Sequence, residues 1–349
     1  MNTAQQQTAV ETRSQQQLSP NKFFETMWAY QRTAALKAAI DLDIFTSLAD
    51  GADTVPALAR RIGVPERGIR ALCNFLVVQG FLGKSAEQLE ARYSLTPDSA
   101  MFLSKKSQAY LGGATVFMGS RFVMDGFKDL TAVVRAGGPT SGENVDVELP
   151  AWVDFARGMA PVMFPAAQGV AKLLPSNSEI KVLDVAASHG IFGISVAQWN
   201  PKAQIVALDF PGVLAVTKEN AERCGVADRL KLLPGNALEV PFGDGFDVVL
   251  ATNLLHHWDR ATNIRFLKKV HAALTSGGKI VIVEFTPNDD RVSPPVAASF
   301  VMNMLVMTPG GDAYTVAEHR EMLHEAGFMD CEAHALEPTP ETAIVATRK

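Results

Sequence analysis

The stretch that decides the fold is KVLDVAASHGIFGISVA, residues 181–197. Residues 182–185 form a short apolar run of the kind that is buried in a parallel sheet, and apolar residues return at helical spacing from Ile191 to Val196. Small residues form a tight turn between the two parts. A strand that turns directly into a helix leaves the first N–H groups of that helix unpaired at the carboxyl edge of the sheet. The stretch therefore predicts a nucleotide-binding edge.

Strands and helices are predicted to alternate through the rest of the sequence, which indicates an α/β fold with a doubly wound, mostly parallel sheet. Only the short link of residues 337–341 separates the last two strands, so that pair can be antiparallel. A parallel sheet with an antiparallel terminal strand is the arrangement of class I S-adenosylmethionine-dependent methyltransferases. The predicted strands are residues 181–185, 204–209, 230–234, 246–251, 279–285, 330–336 and 342–348. The predicted helices are residues 190–199, 212–224, 260–274 and 315–326.

The composition is that of an ordinary globular protein with room for about two domains. The sequence has 349 residues, of which 47% are hydrophobic and 20% are charged. A net charge of -5 gives no general attraction to nucleic acid or anionic lipid, so we expect neither nucleic acid nor a membrane as partner. The three cysteines are odd in number and far apart, which argues against a disulfide framework or a zinc cluster. This cysteine usage fits a reducing cytoplasm, and the sequence contains no apolar run long enough to span a bilayer.

Residues 1–18 are predicted to be a disordered tail, and residues 19–100 a winged-helix-like domain. A long helix from Pro20 to Ile40 is expected first, and two shorter helices and a hairpin follow. The best-known use of a winged helix is to read DNA. Residues 51–95 carry six basic and four acidic side chains, which is little charge for a phosphate footprint. A role in dimerisation is therefore favoured over DNA binding.

Residues 101–170 are predicted to be a helical connector that contributes to a ligand pocket, before a nucleotide-binding domain at residues 171–349. A break rich in Gly, Pro and Ser at residues 136–142 is expected to be a surface loop. Met and Phe residues recur at helical spacing on both sides of this break. Such residues often form plain core, but flexible thioethers also line apolar ligand cavities. Both interpretations stay open.

Two acids help to choose between a dinucleotide and S-adenosylmethionine. The residues from Ser188 to Gly193 resemble a dinucleotide fingerprint without its first glycine, but Asp184, just before the turn, would repel a pyrophosphate. The same acid would attract the cationic amino group and sulfonium of S-adenosylmethionine. Asp209, which ends the second predicted strand, can accept both ribose hydroxyl hydrogens. Alternatively, Asp184 caps the following turn, and Asp209 caps the helix that begins at Pro211.

A second polar cluster lies in DVVLATNLLHHWD, residues 247–259, where a predicted strand leads through a loop into a helix. This order places His256 at the carboxyl edge of the sheet, beside the predicted nucleotide. A neutral imidazole there can remove a proton from an acceptor hydroxyl. His256 is therefore the general-base candidate, with a merely structural role as the alternative.

These residues resemble the plant and bacterial small-molecule O-methyltransferases that have an amino-terminal winged-helix dimerisation domain. The resemblance covers residues 20–349. The family's catalytic base is the histidine of a Leu-His-Asp-Trp sequence, which is Leu255-His256-His257-Trp258 here, with His257 in place of the acid. Glu284 occupies the position of the acid that orients that histidine. A second glutamate of plant members is replaced by Ala313.

The resemblance implies a donor site that contains several substitutions. The family's glycine-rich turn is Ala186-Ala187-Ser188 here, and Gly190 is kept. Asn236 stands in place of an acid near the adenine, and Thr252 in place of a lysine that contacts the donor in some relatives. The predicted contacts of the donor are Asp184, Ala186, Ser188, Gly190, Asp209, Phe210, Asn236, Ala237 and Thr252.

The sequence thus predicts an S-adenosylmethionine-dependent methyltransferase that forms a homodimer through its amino-terminal domain. The expected reaction is O-methylation of a small, apolar or aromatic hydroxyl compound without a metal, with S-adenosylhomocysteine as product. Carbon or nitrogen methylation on the same fold is one alternative, and a ligand-sensing regulator with an inactive methyltransferase domain is another. The predicted acceptor pocket consists of Met118, Phe122, Phe155, Met159, Met163, Trp258, Met302 and Met304.

Overall fold

The computed structural model describes residues 18–85, 91–140 and 147–349. Most of the predicted amino-terminal tail and the last two residues of the predicted surface loop lie outside these ranges. The described residues divide into two compact units, of which the first ends at Ala100 and the second begins at Met101. Within the described ranges, no helix is both long enough and apolar enough to span a bilayer.

The first unit contains the predicted helix–turn–helix and the two-stranded wing. Thr54 caps the first of the paired helices by accepting a hydrogen bond from the N–H of Ala57 at 3.3 Å, and Gly63 ends that helix. The long helix predicted at the amino end is instead two helices separated at Trp28. The elements are α1 (Asn21–Met27), α2 (Ala29–Asp41), α3 (Ile44–Ala49), α4 (Val55–Ile62), α5 (Glu66–Val78), β1 (Leu82–Lys84) and β2 (Tyr93–Leu95).

The second unit begins with helices and continues with the predicted alternation of strands and helices. A single helix of 23 residues, α10 (Pro150–Lys172), occupies much of the predicted connector. The other helices are α6 (Pro97–Phe102), which spans the unit boundary, α7 (Thr115–Met118), α8 (Arg121–Lys128), α9 (Leu130–Ala136), α11 (Ile191–Trp199), α12 (Pro211–Arg223), α13 (Arg260–Ala273), α14 (Pro295–Ser299), α15 (Val301–Met307) and α16 (Val316–Glu325).

Seven strands form one mixed sheet in the second unit, in the order β5-β4-β3-β6-β7-β9-β8. The pairs on the β5 side of the sheet are parallel, whereas β9 is antiparallel to both of its neighbours. The last strand in sequence therefore lies inside the sheet, and β8 forms the edge. The strands are β3 (Ile180–Val185), β4 (Ala203–Asp209), β5 (Leu230–Pro234), β6 (Phe246–Thr252), β7 (Leu274–Glu284), β8 (Phe328–Ala335) and β9 (Thr342–Arg348).

Helices cover both faces of this sheet. Successive side chains of a strand point to opposite faces, and in the central strands both sets are apolar and are buried by helices. In β6, Val248 and Leu250 pack with α10 and α11, whereas Val249 and Ala251 pack with α13 and α16. Each face thus has its own apolar core. This burial on both faces explains why the central strands are continuous apolar runs.

The turn between β3 and α11 holds three residues in the left-handed region of backbone conformation. Ala186 and Ser188 each have a φ of 54°, and Gly190 has a φ of 71°. This region is unfavourable for residues with a Cβ atom. A Cβ at Gly190 would also lie 2.5 Å from Cγ2 of Thr217, so only glycine fits there. The turn, in which Ala186 and Ser188 stand where the resemblance predicts glycines, thus keeps a compact backbone but is locally strained.

We expect Gly193→Ala to destabilise the second unit by about 1–3 kcal/mol, because the new Cβ would overpack the contact between α11 and the sheet. That Cβ would lie 2.8 Å from Cγ2 of Ile205 and 2.9 Å from Oδ2 of Asp184. Gly68→Ala in α5 is the control, since no atom lies within 4 Å of its Cβ position. The control should gain about 0.5–1 kcal/mol from helix propensity. Urea unfolding of both variants measures the difference, and equal stabilities would contradict the close contact.

Candidate active site

A cavity of about 500 Å³ opens where the chain leaves the carboxyl ends of β3, β4 and β6. Its walls are mostly aromatic side chains and methionines. Asp209 is the one acid of the described lining, which contains no lysine or arginine. Seven of the nine predicted donor contacts lie in the wall, namely Ala186, Ser188, Asp209, Phe210, Asn236, Ala237 and Thr252.

Asp209 is fixed at the end of β4 by two backbone hydrogen bonds. Its Oδ2 accepts from the N–H of Ser188 at 2.8 Å, and its Oδ1 accepts from the N–H of Phe210 at 2.7 Å. Burial raises the pKa of Asp209 to about 6, although both hydrogen bonds lower it. Each oxygen can accept a further hydrogen bond. This carboxylate can therefore receive the two hydroxyl groups of a ribose.

Asp184 and Gly190, the other two predicted donor contacts, do not belong to the cavity lining. Asp184 is 1% exposed, and its Oδ2 accepts from the N–H of Gly193 at 3.0 Å. This hydrogen bond joins the end of β3 to the first turn of α11, whereas Oδ1 of Asp184 is buried and has no hydrogen-bond partner among the described residues. Burial raises its pKa to about 7. Gly190 shapes the turn through its left-handed backbone conformation, and it allows the turn to approach Thr217 closely.

His256 and Glu284 form a buried pair beside the cavity. Nδ1 of His256 lies 2.5 Å from Oε2 of Glu284, and the two side chains are 7% and 2% exposed. The other carboxylate oxygen, Oε1, accepts from the N–H groups of three consecutive residues, Leu254, Leu255 and His256, at 3.0, 2.8 and 3.3 Å. One carboxylate thus holds both the imidazole and the loop that carries it.

This pairing determines which nitrogen of His256 is basic. An ionised carboxylate can only accept hydrogen bonds, so the proton of the neutral imidazole lies on Nδ1. Nε2 then carries the lone pair. His256 lines the cavity, and the ring of Phe300 packs against it edge to face at 4.9 Å between centroids. The arrangement can remove a proton from a group bound in the cavity.

His257, which replaces the family's acid, also lines the cavity. Its ring centroid lies 4.6 Å from that of His256 and 5.6 Å from that of Trp152. Burial lowers the pKa of His257 well below its usual value, and His256 lowers it further. The ring is therefore neutral. Where the resemblance predicts an acid, this cavity has an uncharged imidazole.

The predicted acceptor residues that line the cavity are Met118, Phe155, Met159, Met163, Trp258 and Met304. Phe122 and Met302 were predicted there but are not in the lining. The ring of Phe122 packs instead on Phe117 and Trp152, at 6.2 and 5.5 Å between centroids. Met302 precedes Met304 by two residues in α15, so the two side chains point in different directions.

Several lining residues were not predicted from the sequence. The main additions are Phe117, Val123, Met124, Phe127, Trp152, Phe285, Phe300, Asn303 and Met307. The sequence offers a signal for Met307, because it follows Met304 by three residues and shares its face of α15. Trp152 carries no such signal, because its neighbour His257 is distant in sequence. Among the described residues, no group of three or more His, Cys, Asp or Glu side chains could hold a metal ion.

The loop at Gly310 and Gly311 supports the backbone of His256. The N–H of Asp312 donates to the carbonyl oxygen of His256 at 3.1 Å. A Cβ at Gly311 would lie 2.1 Å from that oxygen, so a larger residue cannot be placed there. Ala313, which stands at the position of the second glutamate of plant members, is 2% exposed. In this chain the loop contacts His256 through backbone atoms.

Two family models match the chain. Residues 154–329 match the O-methyltransferase domain family, and residues 24–105 match the O-methyltransferase dimerisation domain family. The 3-hydroxy-5-methyl-1-naphthoate 3-O-methyltransferase of Streptomyces sahachiroi is 30% identical over 301 residues. This match covers 85% of the present chain and 86% of the relative.

Solved structures show the same fold over nearly the whole length. A candidate O-methyltransferase from Nostoc punctiforme PCC 73102 is 46% identical with a TM-score of 0.89, over 95% of this chain and 99% of that one. Human N-acetylserotonin methyltransferase, solved in complex with SAM, is 20% identical with a TM-score of 0.84, over 96% and 99% of the two chains. The chain belongs to the O-methyltransferase family that carries an amino-terminal dimerisation domain.

Proposed function

We propose that this protein transfers the methyl group of S-adenosylmethionine to a hydroxyl group of a small, neutral aromatic compound. The observation that carries the proposal is the pair of His256 and Glu284 beside the cavity. The same cavity contains Asp209, an acid that can accept the hydroxyl groups of a ribose. A base and a nucleoside site in one cavity suit a group transfer from a nucleoside cofactor. The reaction needs no metal in this scheme.

The donor suits the residues present on the nucleotide side of the cavity. Asp209 would receive the ribose hydroxyl groups, and the amide of Asn236 can pair with the adenine. The hydroxyl oxygen of Ser188 is buried and has no hydrogen-bond partner among the described residues, so a ligand can supply one. Asp184, although it does not line the cavity, adds negative charge behind the turn when ionised, which favours a cationic ligand.

The acceptor class follows from the apolar and uncharged walls. Aromatic rings and thioethers surround His256, and the described lining has no cation that could pair with an acceptor carboxylate. The naphthoate methyltransferase of Streptomyces sahachiroi supports an acceptor built on fused aromatic rings. We therefore favour a phenol or naphthol without a carboxylate.

The residues of this chain would contribute to the reaction by proton transfer and by positioning. S-adenosylmethionine supplies an electrophilic methyl group and leaves as a neutral thioether. Nε2 of His256 takes the proton of the acceptor hydroxyl as the oxygen forms its bond to the methyl carbon. Glu284 stabilises the resulting imidazolium through Nδ1–H. The aromatic walls hold the acceptor oxygen in line with the methyl group, and such positioning supplies much of the rate.

The first unit supports a homodimer as the working form. Its match to a dimerisation domain indicates that a second copy of the chain is the partner. Three aromatic residues are more than half exposed in the single chain: Phe23 in α1, Tyr30 in α2, and Trp28 between the two helices. Exposed apolar surface of this kind is typical of an interface.

Titration calorimetry should detect binding of S-adenosylmethionine and of S-adenosylhomocysteine to the purified full-length protein. Incubation with S-adenosylmethionine and a panel of naphthols, phenols, hydroxynaphthoates and aromatic amines, followed by mass spectrometry, should give methyl ethers of the neutral hydroxyl compounds. The proposal would be sunk if neither nucleoside bound. Methylation of amines or ring carbons alone would replace O-methylation by the alternative chemistry.

Glu284→Gln should lower kcat by roughly a hundred- to ten-thousand-fold on an identified hydroxyl substrate. The amide oxygen can still receive the three backbone N–H groups, but its NH2 group would then face Nδ1. The imidazole would have to place its proton on Nε2, where it can no longer act as a base. Steady-state kinetics measure the effect, and His256→Ala is the comparison variant.

S-adenosylhomocysteine binding by calorimetry provides the control for both variants, since neither change touches the nucleoside contacts. Full turnover by either variant would contradict the assignment of His256 as the base. A parallel loss of nucleoside binding would indicate a disturbed fold in place of a lost base.

Affinity for S-adenosylhomocysteine should fall by about tenfold from pH 7 to pH 5. The raised pKa of Asp209, about 6, means that this carboxyl becomes protonated within that range, and ribose hydroxyl groups bind best to the ionised form. Calorimetry at several pH values measures the change. Asp209→Asn should bind more weakly at pH 7 and should show a smaller pH dependence, with the remainder due to Asp184, whose pKa is about 7. A wild-type affinity that does not change with pH would contradict the role of Asp209.

A further inference from the structure

His189 is a buried polar residue of the turn between β3 and α11 that the proposed reaction does not use. It is 3% exposed, and it lines the cavity beside Ser188. Its backbone is firmly held, because the side chain of Asn220 donates to its carbonyl oxygen at 2.8 Å. A histidine in such a place either packs or binds a ligand. The hydrogen bonds of its ring distinguish the two.

The protonation state of the ring follows from one contact. Nδ1 of His189 accepts from the backbone N–H of Ile191 at 3.2 Å. An accepting Nδ1 carries the lone pair, so the proton of the neutral ring lies on Nε2. Burial lowers the pKa of His189 to about 3, which keeps the ring neutral. His189 is therefore a fixed N–H donor.

This donor has no protein acceptor in the described part of the chain, where Ile191 is the one hydrogen-bond partner of the ring. The rings of Phe155 and Phe192 lie nearly parallel to the imidazole, at 6.1 and 6.2 Å between centroids, with interplanar angles of 18° and 29°. These rings can supply apolar contacts to the faces of the imidazole. The Nε2 edge is the polar feature that His189 can present to the cavity.

The hydrogen-bond donors beside this edge favour an anionic group, and they act against the carboxyl groups of Asp184 and Asp209, which accept from the N–H groups of Gly193 and Ser188 at the same turn. Ser188, the residue before His189, has a buried hydroxyl oxygen with no hydrogen-bond partner among the described residues. Ser188 and His189 both lie just before the amino end of α11, a helix of nine residues. Hydrogen-bond donors at the amino end of a helix stabilise a negative charge. The anionic group of S-adenosylmethionine is the carboxylate of its methionine moiety.

We propose that Nε2–H of His189, assisted by the hydroxyl of Ser188, binds this carboxylate. The assignment rests on the proposed function, because it takes S-adenosylmethionine as the ligand. It gives the turn, in which alanine and serine replace the family's glycines, a side-chain contact to the amino-acid end of the donor. His189 is then a specificity-determining residue for the intact donor over a nucleoside that lacks the amino-acid moiety.

The test compares two ligands by calorimetry. S-adenosylhomocysteine has the carboxylate, whereas 5′-methylthioadenosine keeps the nucleoside and the sulfur but lacks the amino-acid moiety. His189→Phe preserves an aromatic ring between Phe155 and Phe192 but removes both nitrogens. We expect it to weaken S-adenosylhomocysteine binding by about ten- to a hundredfold and to leave 5′-methylthioadenosine binding unchanged.

His189→Asn is the matched control. Its Oδ1 can accept from the N–H two residues later, as in an Asx-turn, and its Nδ2 offers a donor, so it should recover part of the lost affinity. Unchanged S-adenosylhomocysteine affinity in His189→Phe would overturn the proposal. An equal weakening of both ligands would also overturn it, because it would show that His189 only shapes the turn. Failure of the wild-type protein to bind S-adenosylhomocysteine would instead contradict the proposed function, and this assignment with it.

Discussion

The burial of the Glu284 carboxylate is the constraint on which the rest of the site depends. A carboxylate that is 2% exposed is strongly destabilising unless hydrogen-bond donors surround it, and here four N–H groups do so. Three of the donors belong to the loop after β6, and the fourth is the imidazole of His256. The carboxylate therefore holds that loop against β7, and the loop in turn places the imidazole of His256 at the cavity. The same carboxylate thus fixes both the position of the His256 ring and the nitrogen of that ring that carries the proton.

Two buried carboxyl groups at the ends of β3 and β4 reduce the stability of the fold as the pH rises. Burial raises the pKa of Asp184 to about 7 and that of Asp209 to about 6, above the usual value of an aspartate. Between pH 4 and pH 7, roughly, the folded protein then holds more protons on these groups than the unfolded chain does. Their contribution to stability is largest at low pH and is lost as the pH rises through this interval. The strained Ala186 and Ser188 belong to the same site, as expected where function opposes stability.

The sequence predicted the order of the strands and helices in the second unit, because buried strands and amphipathic helices leave strong periodic patterns. It also predicted that His256 and Glu284 act together, through the family resemblance, and the two are in contact. The surroundings of Asp184 are harder to predict, since a strand-end acid can face a ligand or cap a helix, and its hydrogen bond with the N–H of Gly193 depends on a turn geometry that the sequence does not specify. The aromatic wall depends on contacts between distant segments, such as Trp152 with His257, which no local pattern encodes.

The internal position of β9 ties the catalytic site to the order of biosynthesis. Thr342 of β9 pairs with Glu284 at the end of β7, and Ile344 and Val345 lie beside the strand residues that precede it. While the ribosome has not yet released residues 342–348, β7 is paired with β6 alone, and its other edge is open. Most of the cavity wall can therefore be synthesised before the strand that carries Glu284 is paired on both of its edges. Such a nascent chain would present the unpaired edge of β7 to other strands, a state that is prone to aggregation until β9 inserts.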